Sequence, residues 1–276
     1  MDILEILKAI LFGIVEGVTE WLPISSTGHM ILLDNFVSLN VSAEFWDMFE
    51  VVIQLGAIFA VVVLFWKKIW PFGYQEKIIF KKDIFSMWLK IVVACIPAAV
   101  VGLLFDDKIN ELFYNYITVA LALIVFGVAF ILIENHNRGR QAKISALSEI
   151  TYNTALLIGV FQLIAAVFPG TSRSGATIVG ALLIGVSRTV AAEFTFFLAI
   201  PTMFGASLLK IVKFGFDFAG GELVILLVGM VTAFIVSLLV IRFLMNYIKK
   251  HDFKPFGWYR IALGTAVLIY GLISMV

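Results

Sequence analysis

Six long apolar runs constrain this chain more than any other feature of its sequence. A helix rises 1.5 Å per residue, so about 20 apolar residues cross a hydrocarbon layer of roughly 30 Å. With 62% hydrophobic and 14% charged residues, a soluble domain is a poor interpretation. Because the runs are continuous rather than alternating, an outer-membrane barrel is equally poor. The runs fall at about 47–66, 84–105, 112–133, 189–209, 223–245 and 259–276.

Two further apolar segments are interrupted by proline. Pro23 divides the segment 4–29, and Pro169-Gly170 divides the segment 154–186. Each arm spans about 18–27 Å as a helix, which is marginal for a full crossing. Irregular backbone at membrane depth is tolerated only where protein or a water-filled cavity surrounds it. We therefore predict two re-entrant helical hairpins, the first and second hairpin below, with an ordinary kinked transmembrane helix as the alternative for each.

Loop charges predict the orientation of these segments. The connections 67–90, 134–149 and 246–260 hold 6, 3 and 4 of the 20 Lys and Arg residues. The loop 106–111 is acidic, and residues 30–50 contain no Lys or Arg. The positive-inside rule then places the basic connections in the cytoplasm and the acidic ones outside. The first hairpin must open outward and the second toward the cytoplasm, with both termini outside.

Hairpins that open to opposite faces indicate an inverted repeat, a design that places its site at the repeat interface near the membrane midplane. We predict one all-α integral membrane domain over 1–276, with a first repeat at about 1–133 and a second at about 150–276. An offset of 146 residues aligns the following pairs: Gly13 with Gly159, Glu16 with Gln162, Pro23 with Pro169, Ser25 with Thr171, Ser26 with Ser172, and Asp47 with Glu193.

The first hairpin carries a cluster of ionisable and hydroxyl groups that is costly at membrane depth and therefore indicates function. Glu16 and Glu20 share one helix face, so one of them should bind a proton, a cation or a basic partner. After Pro23, the run Ser25-Ser26-Thr27-Gly28 suits the start of a returning helix, where hydroxyl and backbone N–H groups bind anions. If that return is helical, we expect His29 to reach the Ser26 hydroxyl and activate it.

The second hairpin supplies the opposite charge. Its break reads Gly170-Thr171-Ser172-Arg173-Ser174-Gly175, in which glycines allow close approach and arginine can fork onto phosphate oxygens. A buried unpaired arginine is too costly, so Arg173 should meet a glutamate of the first hairpin, an anionic ligand, or both. From the residues alone we predict a membrane-embedded site for a phosphorylated molecule, and both an enzyme and a transporter fit.

The two motifs resemble those of the bacterial undecaprenyl-diphosphate phosphatase family of the bacitracin-resistance type. They read Glu16-Gly-Val-Thr-Glu20 running into Pro23-Ile-Ser-Ser-Thr-Gly-His29, and Pro169-Gly-Thr-Ser-Arg-Ser-Gly-Ala-Thr177. The likeness continues in Phe49-Glu-Val-Val-Ile-Gln-Leu-Gly56 and Glu193-Phe-Thr-Phe-Phe-Leu-Ala-Ile-Pro201. The resemblance implies hydrolysis of undecaprenyl diphosphate to undecaprenyl phosphate, which recycles the lipid carrier of peptidoglycan and other envelope polymers. A lipid-phosphate flippase is the alternative.

The resemblance also implies a setting and partners. The chain would be a multi-pass protein of the bacterial plasma (inner) membrane, with its active site facing the periplasmic side. It would act on a polyprenyl diphosphate lipid for which bacitracin competes, and would need a divalent cation, Mg²⁺ or Ca²⁺. A homodimer is left open, and the net charge of +1 implies no nucleic-acid partner.

Site roles follow as hypotheses. Ser26 would be the nucleophile, with His29 as its base or as proton donor to the leaving group, and a water activated by His29 is the variant. Glu20 would orient His29 or bind the cation, supported by Glu16, so both are candidate metal ligands. Arg173 would neutralise the charge that develops in phosphoryl transfer. Substrate binding is expected of Glu16, Ser25, Thr27, Gly170, Thr171, Ser172, Ser174 and Thr177.

Overall fold

The computed structural model describes residues 2–75 and 77–273, and helices dominate both ranges. Eleven helices lie within these residues, and six of them are long and apolar enough to cross a membrane. The predicted fold class, an all-α polytopic membrane protein, is therefore confirmed. In chain order the helices are α1 (Ile3–Thr19), α2 (Ser26–Phe36), α3 (Ala43–Ile69), α4 (Lys82–Phe113), α5 (Tyr116–His136), a 3-10 turn (Leu147–Glu149), α6 (Tyr152–Val167), α7 (Arg173–Leu183), α8 (Arg188–Phe214), α9 (Glu222–Tyr247) and α10 (Lys254–Ile273).

Two of the predicted connections have more regular structure than expected. The prediction of a loop at 106–111 was wrong. Helix α4 continues through these residues to Phe113, and only two residues join α4 to α5. Hydropathy marks where a chain leaves the apolar layer, whereas backbone hydrogen bonds let a helix continue beyond it. The basic connection 67–90 contains an antiparallel hairpin of strands β1 (Phe72–Gln75) and β2 (Lys77–Phe80).

The first helix of each broken hairpin packs against a long helix from the other half of the chain. Helix α1 lies along α9, and α6 lies along α4. Small residues allow these approaches, since Gly13 faces the Gly229 backbone and Gly159 faces Ala94. Helix α3 packs against α8, and α5 packs against α10. With these pairings the two hairpin breaks lie in contact with each other, Arg173 against Glu20.

The two hairpins differ in their burial. All nine residues from Ser174 to Leu182 of α7 are buried, and its apolar residues Ile178, Val179, Ala181 and Leu182 belong to the main core. In α2 only Gly28 and Met30 are buried, Asn35 and Phe36 are exposed, and the other seven residues are partly buried. The first hairpin is therefore less enclosed than the second.

The crossing of α5 and α10 depends on two facing glycines. A Cβ atom at Gly127 would lie 2.7 Å from the Gly257 carbonyl oxygen, and a Cβ at Gly257 would lie 2.7 Å from that of Gly127. Neither backbone can move without separating the two helices. We expect Gly127→Ala to destabilise the protein by about 2 kcal/mol, the usual cost of overpacking.

Thermal unfolding of the purified protein in detergent measures this effect. Gly102 of α4 is the matched control, because a Cβ atom there meets nothing within 4 Å. Gly102→Ala should leave Tm unchanged or raise it, since alanine is the better helix former. Equal Tm values for the two variants would contradict the packing argument.

Candidate active site

Both hairpins break in the same way, at a serine with a left-handed backbone. Ser25 has φ of 75° and Ser172 has φ of 68°, and in the described ranges they are the only non-glycine residues with positive φ. Each serine caps the following helix, Ser25 by accepting from the Gly28 N–H at 3.3 Å and Ser172 from the Gly175 N–H at 3.1 Å. Such strained positions persist where the surrounding structure enforces them, often at functional sites.

This equivalence corrects the predicted alignment of the two breaks by one residue. Ser25, not Ser26, corresponds to Ser172, because the second break contains one residue more after its proline. The helices that follow, α2 and α7, both have 11 residues. In this register Ser26 and Arg173 occupy equivalent first positions of the returning helices.

The Glu20 carboxylate joins the two breaks. Its Oε1 accepts from Arg173 Nη2 at 2.8 Å, and its Oε2 accepts from the Ser26 hydroxyl at 2.8 Å. The Glu20 backbone carbonyl also accepts from the Ser174 hydroxyl at 3.1 Å. The predicted pairing of Arg173 with a glutamate of the first hairpin is therefore present. A carboxylate that accepts the Ser26 proton in a buried setting is also a candidate base for that hydroxyl.

Arg173 retains donors for a ligand. One of its N–H groups donates to Glu20 and another to the Thr195 carbonyl at 3.1 Å, out of five on a guanidinium. Its side chain is 15% exposed, so it is held in place yet reachable.

The remaining hydroxyls of the second break divide into two groups. Ser172 is half-buried, as are Ser26 and Thr27 across from it. Thr177 is fully buried and donates to the carbonyls of its own helix while accepting from the Thr195 hydroxyl at 2.9 Å. Thr177 was predicted to bind substrate, but the structure places it behind Arg173, where it supports α7.

His29 does not hydrogen-bond to the Ser26 hydroxyl, and that prediction was wrong. Its Nδ1 lies 2.7 Å from the Ser25 carbonyl, and its Nε2 lies 2.7 Å from the Tyr259 hydroxyl of α10. The expected orientation of His29 by Glu20 is likewise absent, because Glu20 is occupied by Ser26 and Arg173. The prediction relied on residues three apart in a helix lying on the same side. The His29 ring instead turns toward the carbonyl of Ser25, four residues earlier.

Arg260 is a member of the site that the sequence reading missed. Charge counting places it in the basic connection 246–260, predicted to be cytoplasmic, yet it lies in α10 and is fully buried. Its guanidinium donates to the Pro23 carbonyl at 3.2 Å, and to the Gly170 and Thr171 carbonyls at 3.0 and 2.7 Å. Because these carbonyls are freed by the breaks, Arg260 satisfies both hairpins at once. The available signal was a lone arginine at the start of an apolar run.

Comparison with known proteins agrees with this geometry. A family model described as "Bacitracin resistance protein BacA" matches residues 9–266. The chain belongs to the BacA family. Among its relatives, the undecaprenyl-diphosphatase of Desulfitobacterium hafniense is 68% identical over 270 residues, covering 98% of this chain and 97% of the relative. Undecaprenyl-diphosphatase 1 of Clostridium acetobutylicum is 67% identical and covers 99% and 100%. A relative named undecaprenyl-diphosphatase from Enterococcus faecalis is 61% identical, covering 98% of each.

A divalent cation fits the first hairpin of this BacA-family chain. Glu16 is fully buried, and neither carboxylate oxygen has a hydrogen-bond partner among the described residues. It lies one helical turn before Glu20, so the two carboxylates share a face. Mg²⁺ is commonly held by one or two carboxylates together with substrate phosphate oxygens. In the described parts of the chain no three His, Cys, Asp or Glu side chains converge, so a bound phosphate would have to complete such a site.

We expect Arg260→Ala to destabilise this BacA-family protein. The substitution leaves three buried carbonyls without their donor, and hydrogen bonds to a charged group contribute about 1.5–3 kcal/mol each. A loss of at least about 3 kcal/mol should therefore appear as a lower Tm in detergent. The exposed Arg242 of α9 provides the control, and Arg242→Ala should be close to wild type. Unchanged stability of Arg260→Ala would show that Arg260 does not hold the breaks together.

Proposed function

We propose that this chain hydrolyses undecaprenyl diphosphate to undecaprenyl phosphate and inorganic phosphate. The observation that carries the proposal is the Glu20 carboxylate, which holds the Ser26 hydroxyl on one oxygen and the Arg173 guanidinium on the other. The proposed nucleophile Ser26 and the phosphate-binding Arg173 are therefore both hydrogen-bonded to the proposed base, Glu20. Relatives at 61–68% identity carry the name undecaprenyl-diphosphatase over nearly the whole chain, which supports the same substrate.

The proposed reaction returns the lipid carrier for peptidoglycan and other envelope polymers. The same activity would confer bacitracin resistance when the protein is abundant, because the drug competes for the diphosphate. The prenyl chain keeps the substrate in the lipid layer, so the substrate would reach the site from within the membrane. The six candidate spanning helices place this chain in the same layer.

We place the site at the outer side of the plasma membrane, within an inverted repeat of about 1–133 and 150–276. Helix directions support this topology. Lys68 near the end of α3 pairs with Glu193 near the start of α8, while Ser207 late in α8 donates to the Val51 carbonyl early in α3. The two helices are therefore antiparallel, as equivalent helices of an inverted repeat must be. Helix α2, in the hairpin predicted to open outward, is less buried than α7, which is consistent with entry from that side.

In the proposed mechanism Arg173 binds the terminal phosphate and neutralises the charge of the transition state. The Ser26 oxygen attacks the terminal phosphorus as its proton passes to Glu20. The bond from that phosphorus to the bridging oxygen breaks, and undecaprenyl phosphate leaves. His29 would supply a proton to the leaving oxygen, and water would then release phosphate from Ser26. Direct attack by an activated water is the alternative, and it forms no phosphoserine.

A divalent cation would be held by Glu16 and Glu20. When bound, it neutralises phosphate charge and so favours attack by an oxygen nucleophile. The role of Glu16 in this proposal follows from its buried carboxylate, which has no hydrogen-bond partner among the described residues and is neutralised there by a cation or a proton.

Phosphate release by the purified protein tests the proposed function. We expect release from a polyprenyl diphosphate by wild type, a loss on the order of 10³-fold in Ser26→Ala, and about 10²-fold in Arg173→Lys. Ser38→Ala and Arg242→Lys, at exposed positions, are matched controls that should retain activity. Trapping of phosphate on Ser26 during a single turnover would distinguish the serine from the water mechanism. If wild type releases no phosphate while reconstituted vesicles translocate the lipid, the flippase alternative replaces the enzyme.

Metal removal tests the cation. Chelation with EDTA should abolish phosphate release, and added Mg²⁺ or Ca²⁺ should restore it. Glu16→Gln should raise the concentration of cation that gives half-maximal activity by about tenfold or more, because one anionic ligand is lost. Glu44→Gln, at the exposed start of α3, is the control. Full activity in EDTA would remove the cation from the proposal.

A further inference from the structure

The hydrogen bond between His29 and Tyr259 has no place in the mechanism derived so far. The two residues are 230 positions apart, on α2 and α10, and their bonded atoms are 2.7 Å apart. Their rings are also parallel within 3°, with centroids 5.6 Å apart. The Tyr259 side chain therefore both hydrogen-bonds to the His29 ring and lies parallel to it.

The two hydrogen bonds of His29 determine which nitrogen carries the proton. The Ser25 carbonyl oxygen can only accept, so Nδ1, which lies 2.7 Å from it, must be the protonated nitrogen. In the neutral ring Nε2 is then the lone-pair nitrogen, and it accepts from the Tyr259 hydroxyl. Since Nδ1 keeps its proton in both charge states, Nε2 is the position where a proton can be gained or lost.

The Tyr259 hydroxyl holds the ring before the reaction in either charge state. It donates to Nε2 when the ring is neutral, and it accepts from the Nε2 proton when the ring is charged. Because Nε2 has a single position for a proton, the hydroxyl gives up this contact when the proton passes from Nε2 to the leaving oxygen. Tyr259 directly precedes Arg260, whose guanidinium holds the carbonyls of both breaks. The tyrosine is thus attached to a rigid part of the site and can hold the ring of the half-buried His29 on α2.

We propose that Tyr259 is a positioning residue for His29, fixing the ring and its tautomer so that Nε2 exchanges protons during phosphoryl transfer. The inference rests on the proposed phosphatase function and adds to it the group that orients the histidine. In this role Tyr259 replaces Glu20, which the sequence reading had assigned to His29. Tyr259 acts through His29 and need not contact the substrate.

Nitrogen-15 NMR of histidine tests the tautomer directly. The chain has three histidines, and the variants His136→Asn and His251→Asn remove two exposed ones, leaving His29 as the single labelled ring. We expect the neutral ring to show a protonated Nδ1 and an unprotonated Nε2. Introducing Tyr259→Phe, which keeps the ring stack but removes the hydroxyl, should change the Nε2 signal and allow a mixture of tautomers. If the neutral His29 ring of the wild type carries its proton on Nε2, the proposal is overturned by that spectrum alone.

Kinetics of phosphate release provide the second readout. Tyr259→Phe should lower kcat about tenfold and leave KM within about twofold, because a single hydrogen bond that orients the reacting group is lost. Tyr270→Phe is the matched control, since it removes the same hydroxyl from α10 at a ring that packs against Phe36 and is remote from His29. Both variants should show the wild-type Tm.

The outcomes separate the two levels of inference. No phosphate release by wild type contradicts the proposed function, whatever the state of His29. An active wild type with unchanged kcat and an unchanged Nε2 signal in Tyr259→Phe contradicts the positioning role alone. An increase in KM without a change in kcat or in the Nε2 signal would also overturn it, because Tyr259 would then contact the substrate rather than His29.

Discussion

The pairing of Glu20 with Arg173 is the interaction on which the rest of the site depends. Neither charge is tolerable alone in an apolar interior, and each is supplied by a different hairpin. Their contact brings together chain segments 153 residues apart, and the second carboxylate oxygen of Glu20 positions the Ser26 hydroxyl. Stability and the candidate chemistry are therefore linked, because the group that neutralises the arginine also accepts a hydrogen bond from the hydroxyl of the candidate nucleophile.

Broken helices at membrane depth create a second requirement, which Arg260 meets. The breaks free carbonyl groups that no water can reach, and the guanidinium of α10 donates to three of them. The left-handed serines at the two breaks are further evidence that the tips are enforced by their surroundings. The same helix places Tyr259 against His29, so one element both holds the breaks and contacts the candidate acid-base residue.

Much of the architecture could be predicted from hydropathy and proline positions. The six spanning segments, the two interruptions and the meeting of Arg173 with a glutamate of the first hairpin are all present. The errors lie where hydropathy has no information. A helix continues past its apolar portion into 106–111, strands form within 67–90, and Arg260, predicted to lie in a basic connection, is buried in a helix. The single extra residue of the second break also escaped an alignment based on identities.

By itself, the sequence determined which chemical groups would be buried and that their charges must compensate. Lipid excludes unpaired charges and unsatisfied backbone, so Glu16, Glu20 and Arg173 had to lie in one protected site between two breaks. The tertiary structure alone decided which atoms meet. Ser26 donates to Glu20 and His29 contacts Tyr259 because hydrogen bonds depend on ångström-scale placement by helices distant in the chain. Residue type and spacing carry no information on that placement.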